Sequence, residues 1–191
     1  MISWLSIQLK PKQMSTIHYK IQFFSFWHCG SGLAAGPDVD ALVIKDAQGL
    51  PFVPGKTIKG LVKEAAETII ALQGKPSLPA YLFGTEVSDK SRLFFSDATL
   101  PDHDYIYDEG LSRYIYRKIS STRIVEDGIV KPGSLRKVEV VIPCALEGKI
   151  LGLQAEDEDI LGKALRYIKA IGLNRKRGLG RCTIRFDIEQ V

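Results

Sequence analysis

The sequence lacks the features that mark several large classes of protein. Among its 191 residues, no apolar run approaches the ~20 residues that a membrane span needs. The three cysteines lie far apart, and neither they nor the three histidines have the spacing of a metal site. The first residues have too short an apolar stretch for a signal peptide and no small-residue cleavage site. These absences predict a cytoplasmic protein with reduced cysteines and no membrane partner.

The common arrangements for nucleophilic catalysis are also missing. No serine or cysteine lies in a recognisable nucleophile motif, and no histidine has a partner in sequence that would make it a general base. Three aspartates remain as candidates, Asp38, Asp40 and Asp46. Asp38 follows Pro37 and Asp46 precedes Gly49, so both fit turn roles. Asp40 precedes a short extended piece and is the better candidate for a chemical role.

The composition is that of a globular protein with a small excess of cations. Hydrophobic residues make up 45% of the chain and charged residues 25%, and the net charge is +4. The cations are concentrated at residues 56–63, 113–123, 131–137 and 175–181. Such clusters are typical of proteins that bind a polyanion, although a solvated charged surface has the same composition.

Hydrophobic periodicity predicts an α+β fold. Residues 17–23, 137–142 and 181–189 alternate between apolar and polar, which predicts strands, and residues 91–98 form a further compact strand. Residues 56–72 and 156–171 have apolar side chains at three- and four-residue steps, which predicts two amphipathic helices. The order is βαββαβ, a ferredoxin-like or RRM-like core in which two helices back a four-stranded antiparallel sheet. The other face of the sheet is expected to be open to a partner.

We expect a single domain over residues 14–191 with two insertions. Residues 1–13 precede the patterned part of the chain and are either a mobile extension or an upstream start. The insertions fall at about 28–55 and 100–136, and the second mixes tyrosines with arginines without a single period. About residues 120–136 are expected to form a protruding hairpin. The alternative is a lid whose tyrosines pack on the protein's own surface.

Two segments are suited to hold a phosphate. The start of the first predicted helix has Lys56 and Lys59 beside the backbone amides of the first turn. Residues 174–181, which we call the closing loop, have four cations and two glycines between a helix and the last strand. Gly178 and Gly180 would let backbone amides approach an anion, and the arginines would supply forked donors. Neither segment is a Walker motif, and glycine-rich turns are common.

Taken in order, the elements of this chain resemble the repeat-associated mysterious protein (RAMP) superfamily of CRISPR systems. The matching elements are Gly30-Ser31-Gly32, Val39-Asp40 before residues 43–46, residues 51–55, Ile58-Lys59-Gly60, Leu82-Phe83-Gly84, residues 93–97, Thr122-Arg123-Ile124, Ser134-Leu135-Arg136 before Glu139, and residues 177–181. They cover most of the chain from residue 14 onward and are most similar to the backbone subunits of type III effector complexes. The chain departs from the pattern at Phe26-Trp27-His28-Cys29 and in a longer stretch at 101–119.

This resemblance implies a subunit that stacks on copies of itself, beside other type III subunits, along a guide CRISPR RNA (crRNA) in antiviral defence. The hairpin at about 120–136 would be a thumb that wedges between nucleotides. Cleaving members use a loop aspartate with a divalent ion, Mg²⁺ or Mn²⁺, to cut the paired target RNA. That position is Asp40, which implies an endoribonuclease active within the assembled complex. The residues expected to bind RNA are Lys45, Lys56, Lys59, Arg123, Arg136, Arg177, Gly178, Gly180 and Arg181.

Three alternatives remain open. A non-catalytic end-cap subunit would grip the repeat-derived tag of the crRNA and occur once in the complex. A crRNA-processing endoribonuclease would rely on a histidine and cleave unassembled repeat RNA without metal. A protein-interaction module would purify without RNA.

Overall fold

The computed structural model describes residues 14–33, 39–74, 78, 80–84, 91–121 and 136–190. The strands are β1 (Met14–Phe23), β2 (Phe94–Phe95), β3 (Tyr116–Ser121), β4 (Arg136–Val141), β5 (Ala145–Gln154) and β6 (Cys182–Gln190). The helices are α1 (Gly55–Leu72), α2 (Ala80–Phe83), α3 (His103–Asp108), α4 (Ser112–Ile115) and α5 (Glu158–Tyr167), with 3-10 turns at Ala155–Asp157 and Arg175–Arg177. None of the described helices is both long and apolar enough to cross a membrane.

The main sheet has the strand order β2-β5-β1-β6, and every neighbouring pair is antiparallel. Strands β1 and β2 therefore run parallel with β5 between them, and β5 and β6 run parallel with β1 between them. The first parallel pair is connected through α1 and the second through α5. This is the split βαβ arrangement of a ferredoxin-like core, so the predicted α+β fold class is confirmed.

The core lies between this sheet and the two long helices. Alternate residues of β1 are buried, and they face buried residues of β5 and β6 across the sheet. The helices close this layer with apolar side chains at helical spacing, Ile58, Val62, Ala65 and Ala66 from α1 and Leu161, Ala164 and Leu165 from α5. Burial of apolar area is the main stabilising contribution to such a core.

The third core strand is not the one that the periodicity predicts. Residues 137–142 do contain a strand, β4, but it pairs with β3 in a separate two-stranded sheet. The core position is taken by β5, whose buried residues Leu146, Ile150 and Leu153 are four and three residues apart. A register shift opposite residues 15–17 of β1 produces this spacing, which resembles that of a helix. Gly148 obscures the strand further, and it is required because a Cβ there would lie 2.4 Å from the Tyr19 hydroxyl.

The other element boundaries agree with the sequence to different degrees. Helix α1 and strand β6 match within one residue, and β1 starts earlier than predicted, at Met14. The strand predicted at 91–98 is reduced to Phe94–Phe95. Helix α5 ends at Tyr167 rather than at residue 171, because the chain is already extended at Ile168. The predicted extension 1–13 and nearly all of the predicted hairpin 120–136 lie outside the described residues.

The cysteines are free thiols in the structure. Burial, with the nearby Cys182, raises the pKa of Cys29 to about 12. Burial also raises the pKa of Cys182 to about 12 and that of Cys144 to about 11. Thiolates are the reactive form, so these cysteines are poor nucleophiles at neutral pH.

Candidate nucleic-acid interface

Residues 24–31, which we call the junction segment, connect the two halves of the candidate site. Three backbone hydrogen bonds join it to the closing loop and its approach: Phe24 N–H to Arg181 O (2.8 Å), Gly180 N–H to Phe26 O (2.7 Å) and Leu173 N–H to His28 O (2.8 Å). Four others join it to β4 and to the chain after Asp40: Trp27 N–H to Val141 O (3.0 Å), Val141 N–H to Trp27 O (2.8 Å), Ile44 N–H to Cys29 O (2.8 Å) and Ser31 N–H to Leu42 O (3.0 Å). The segment thus fixes the closing loop relative to the region around Asp40.

Asp40 is exposed but held in place by β4. Its N–H donates to Lys137 O (2.8 Å), and its Oδ2 accepts a hydrogen bond from Lys137 N–H (2.7 Å). Within the described part of the chain, no hydrogen bond engages the other carboxylate oxygen, Oδ1. A carboxylate that is fixed in position and open on one side is well suited to meet a ligand.

An open cavity of about 470 Å³ lies between Asp40 and the start of α1. Its lining includes His28, Gly30, Asp40, Pro54, Thr57 and Leu173. The cavity therefore brings together the glycine motif after β1, the candidate aspartate, the first turn of α1 and the approach to the closing loop. These elements are far apart in sequence.

The described residues around Asp40 offer few ligands to a divalent ion. Among the described residues, no three His, Cys, Asp or Glu side chains are grouped closely enough to hold a metal. Asp40 thus offers a single carboxylate. Mg²⁺ is usually held by one or two carboxylates together with substrate phosphates and waters, so one carboxylate is sufficient when the substrate completes the shell.

The closing loop exposes its cations. Arg175, Lys176 and Arg177 form an exposed 3-10 turn, which ends at Gly178 with φ of 87°. Apart from its chain neighbours, no described residue has an atom within 4 Å of the position that a Cβ of Gly178 would take, so the backbone is open to an approaching group. Arg181, at the end of the loop, is exposed as well.

Gly180 differs from Gly178, although both were predicted to present amides to a phosphate. Gly180 is buried, and its N–H already donates to Phe26 O. A Cβ at this position would lie 1.9 Å from Ile171 O. Gly180 therefore shapes the loop, and its amide is not available to a phosphate.

The start of α1 already has an internal anion. Gly55 N–H donates to Asp97 Oδ1 (2.7 Å), and Pro54 O accepts from Thr57 N–H (2.8 Å) and Ile58 N–H (3.2 Å). The predicted phosphate seat is thus occupied by a carboxylate at the positive end of the helix. Of the two lysines predicted here, Lys56 is exposed and Lys59 is half-buried. A phosphate would have to rely on side chains rather than on these amides.

Lys45 is paired inside the protein. Its Nζ lies 2.9 Å from Oε1 of Glu139, a buried residue of β4, and 4.0 Å from the centre of the Tyr116 ring. Glu139 Oε2 also accepts from Val43 N–H (3.1 Å). These contacts give Lys45 a structural role and argue against the predicted role as a phosphate contact.

Of the remaining candidate residues, Arg136 and Asp46 are described by the structure and Arg123 and Asp38 are not. Arg136 is exposed at the first position of β4, opposite Ser121. Asp46 makes the predicted turn, because its Oδ1 accepts from Gln48 N–H and Leu50 N–H, both at 2.9 Å.

A model of the RAMP superfamily matches residues 20–183 of the sequence. The chain belongs to this superfamily. Its fold is similar to a chain in the cryo-EM structure of type III-B Cmr-beta bound to cognate target RNA, with a TM-score of 0.67, 12% identity, and coverage of 92% of this chain and 98% of the other. A chain of type III-B Cmr-beta in the apo state gives a TM-score of 0.66 at 13% identity, with 90% and 96% coverage. No curated protein matches the sequence significantly.

Two features of this RAMP chain were not among the predicted site residues. Phe24 is 60% exposed and Phe26 39% exposed, and both belong to the junction segment beside the closing loop. The signal for them in the sequence is the run of aromatics after β1, more than one strand face can bury. Exposed aromatics next to arginines are typical of surfaces that bind single-stranded nucleic acid.

The outer face of the RAMP sheet is less suited to stack bases. Lys20 pairs with Glu147 and His18 with Glu189, both at 2.9 Å. In the described parts of the central strands β1 and β5, no aromatic side chain lies on this face. The central strands therefore lack the aromatic platform by which RRM domains stack bases, and the exposed Phe94 lies on the edge strand β2.

His103 is closed to a substrate. Its Nε2 lies 2.6 Å from Asp46 Oδ2 and its Nδ1 lies 3.2 Å from Asp104 Oδ1. The hydrogen bond with Asp46 raises the pKa of His103, although burial opposes it. Both ring nitrogens face carboxylates, so this histidine does not provide the general base that a crRNA-processing enzyme would use.

Proposed function

We propose that this chain is a backbone subunit of a type III CRISPR effector complex, which binds crRNA along its backbone and cleaves the paired target RNA. Two findings support the assignment of the complex. The chain is a RAMP protein, and its fold matches most of the length of chains from type III-B Cmr-beta, one of them bound to cognate target RNA. We further propose that it contacts other copies of itself and other type III subunits.

The observation that carries the proposal is the junction segment. On one side it is bonded to a loop with exposed arginines, and on the other to the strand that holds Asp40. A guide strand gripped at the closing loop would thus run past a fixed carboxylate. Arg177, Arg181 and the open backbone at Gly178 contact phosphates without reading bases, as a subunit that accepts any guide sequence requires.

Phe24 and Phe26 add a second means of holding a single strand. Base stacking on an aromatic side chain contributes about 1–3 kcal/mol per base and tolerates every sequence. Backbone hydrogen bonds hold the main chain of both phenylalanines against the closing loop, so the rings are presented beside its arginines.

The cleavage chemistry is assigned to Asp40. A Mg²⁺ or Mn²⁺ ion at this carboxylate would supply charge stabilisation at the scissile phosphate. Lys137 N–H keeps Oδ2 in place, which leaves Oδ1 to face the RNA. Asp40 could also orient the 2′-hydroxyl that attacks the phosphate, since a carboxylate accepts its proton.

Asp40→Asn in the assembled complex tests this assignment. The amide oxygen can still accept from Lys137 N–H, so the fold and target binding are expected to persist while target cleavage is lost. Asp38→Asn is the matched control and is expected to cleave normally. Target RNA is followed on denaturing gels with added Mg²⁺ or Mn²⁺, and binding is measured separately. Normal cleavage by the Asp40 variant would show that the chemistry lies elsewhere.

A further inference from the structure

His28 is a buried polar side chain whose tautomer is determined by its surroundings. It is 1% exposed, and its Nδ1 lies 2.6 Å from Glu139 O. A carbonyl oxygen can only accept, so Nδ1 carries the hydrogen. In the neutral imidazole the other nitrogen, Nε2, is then an acceptor with a free lone pair.

Nε2 points into the cavity that contains Asp40. A Cβ on Gly30 would lie 3.2 Å from Nε2, and both residues line the cavity with Asp40. Among the described residues, no group hydrogen-bonds Nε2. In the part of the chain that the structure describes, the one side-chain nitrogen or oxygen that is sealed from solvent without a partner is Trp27 Nε1, so Nε2 of His28 is open to the cavity and water can donate to it. A molecule that displaces this water must supply a donor in its place, or the hydrogen bond is lost.

The chemistry of RNA limits which of its groups can donate a hydrogen bond to Nε2. Phosphate oxygens are acceptors and cannot satisfy Nε2. The donors of RNA are base amino and imino groups, which vary with sequence, and the ribose 2′-hydroxyl, which every nucleotide carries and DNA lacks. A subunit that accepts any guide requires the invariant donor.

We propose that His28 Nε2 accepts a hydrogen bond from a ribose 2′-hydroxyl in the Asp40 cavity and that this contact favours RNA over DNA. The inference rests on the proposed RNA-binding function and names the recognised group. The small residue at position 30 keeps Nε2 accessible, and Glu139 O holds the ring in the accepting tautomer.

The test compares single strands of one sequence in three chemistries: RNA, 2′-fluoro RNA and DNA. The 2′-fluoro strand keeps an RNA-like sugar but cannot donate. We expect the full-length chain to bind RNA about 2- to 10-fold more tightly than the 2′-fluoro strand, the range of one net hydrogen bond. His28→Asn can still donate to Glu139 O but lacks Nε2, so the preference should disappear while affinity for the 2′-fluoro strand stays unchanged.

A second variant is needed because His28 is buried and its substitution could unfold the protein. Gly30→Ala keeps the His28 ring and places a methyl group 3.2 Å from Nε2, so it should also abolish the preference. His18→Asn is the control, because His18 lies on the outer face of the sheet beside Glu189 and should keep the preference. Thermal unfolding establishes that each variant is folded.

The outcomes separate this inference from the proposed function. Folded His28 and Gly30 variants that keep the ribose preference would overturn the inference, as would an equal loss of affinity for all three strands. Equal binding of RNA and 2′-fluoro RNA by the wild type would also overturn it and leave the proposed function standing. If the wild type, alone and in the assembled complex, binds none of the strands, the proposed function itself fails.

Discussion

Two regions of this RAMP chain, both predicted to hold a phosphate, differ in what their charged and polar groups face. In the inner region, residues 39–59, two of the expected phosphate contacts are paired within the protein, Lys45 with Glu139 and the first amide of α1 with Asp97, while Lys56 is exposed. The outer region is the closing loop, where Arg177 and Arg181 are exposed.

This difference predicts which region contributes to the stability of the fold and which contributes to the affinity for RNA. A cation that already faces a buried carboxylate would lose that contact on binding a phosphate, so it contributes mainly to folding. An exposed arginine gives up only water and counterions, so it contributes mainly to binding. We therefore expect substitutions in the inner region to change the free energy of unfolding and substitutions in the outer region to change RNA affinity.

The largest expected effect is that of Glu139→Ala, which removes the partner of Lys45 in the inner region. It leaves Lys45 and the Val43 N–H without their partner. Breaking a fully buried pair costs about 3–5 kcal/mol, and because Lys45 is 34% exposed we expect roughly 2–3 kcal/mol. Urea unfolding measures the loss, and Glu139→Gln should lose less. A cost near zero for Glu139→Ala would mean that the inner pair does not stabilise the fold.

Asp97→Ala should have the next largest effect. It would remove the carboxylate that now occupies the start of α1 and open that position to an external anion. Removing the acceptor of Gly55 N–H should cost about 1–2 kcal/mol, the range of a lost helix cap. The vacated Gly55 amide at the start of α1 should then bind an anion, so phosphate should stabilise the variant more than the wild type at equal ionic strength. Thermal unfolding in phosphate and in chloride measures this. The same response in both proteins would contradict the idea that Asp97 fills the seat.

Local patterns were sufficient for part of the fold. Helix α1 and the strands β1 and β6 follow directly from periodicity. The βαββαβ order was also predicted, although its third strand was assigned to residues 137–142. Strand β5 could not be found in this way, because Gly148 has no side chain to continue the alternation and the register shift moves Leu153 out of phase. The bulge is visible only once β1 lies beside it.

The candidate site divides in the same manner. Asp40 and the closing loop could be named as candidates from the sequence because the family motifs that carry them are contiguous. The pairing of Gly55 with Asp97 joins residues 42 positions apart, and that of Lys45 with Glu139 joins residues 94 apart. No local pattern encodes such contacts, so Lys45 looked as free as Arg177.

The double substitution Arg177→Ala, Arg181→Ala should weaken RNA binding roughly tenfold, about 1.4 kcal/mol, without destabilising the fold. The dependence of the logarithm of affinity on the logarithm of salt should flatten by about 0.7 per lost phosphate contact on a single strand. Lys56→Ala, Lys59→Ala is the matched pair from the inner region and should flatten the slope less, because Lys56 is exposed but Lys59 is half-buried. If the salt dependence of RNA affinity were equal in the two double variants, the inner and outer regions would not differ in their contribution to binding.

The smallest expected effect concerns a titratable pair, Asp46 of the inner region and His103 of α3. Their side chains are 22% and 24% exposed, and the hydrogen bond with Asp46 raises the pKa of His103 above its ordinary value of 6.5. Burial would raise the pKa of Asp46, but hydrogen bonds from His103 and two backbone amides outweigh it and lower the pKa below 3.8.

A raised histidine pKa stabilises the fold fully below pH 6.5, and this contribution is lost as the pH rises through the folded value. A lowered aspartate pKa stabilises it above pH 3.8, and that contribution is lost in acid. The pair should therefore be strongest between these limits, and the wild type should lose up to about 1 kcal/mol between pH 6 and pH 8.5. His103→Gln should remove most of that loss, whereas His18→Gln, in a more exposed pair, should change it little. Urea unfolding at the two pH values measures both, and an unchanged loss in His103→Gln would show that another group titrates.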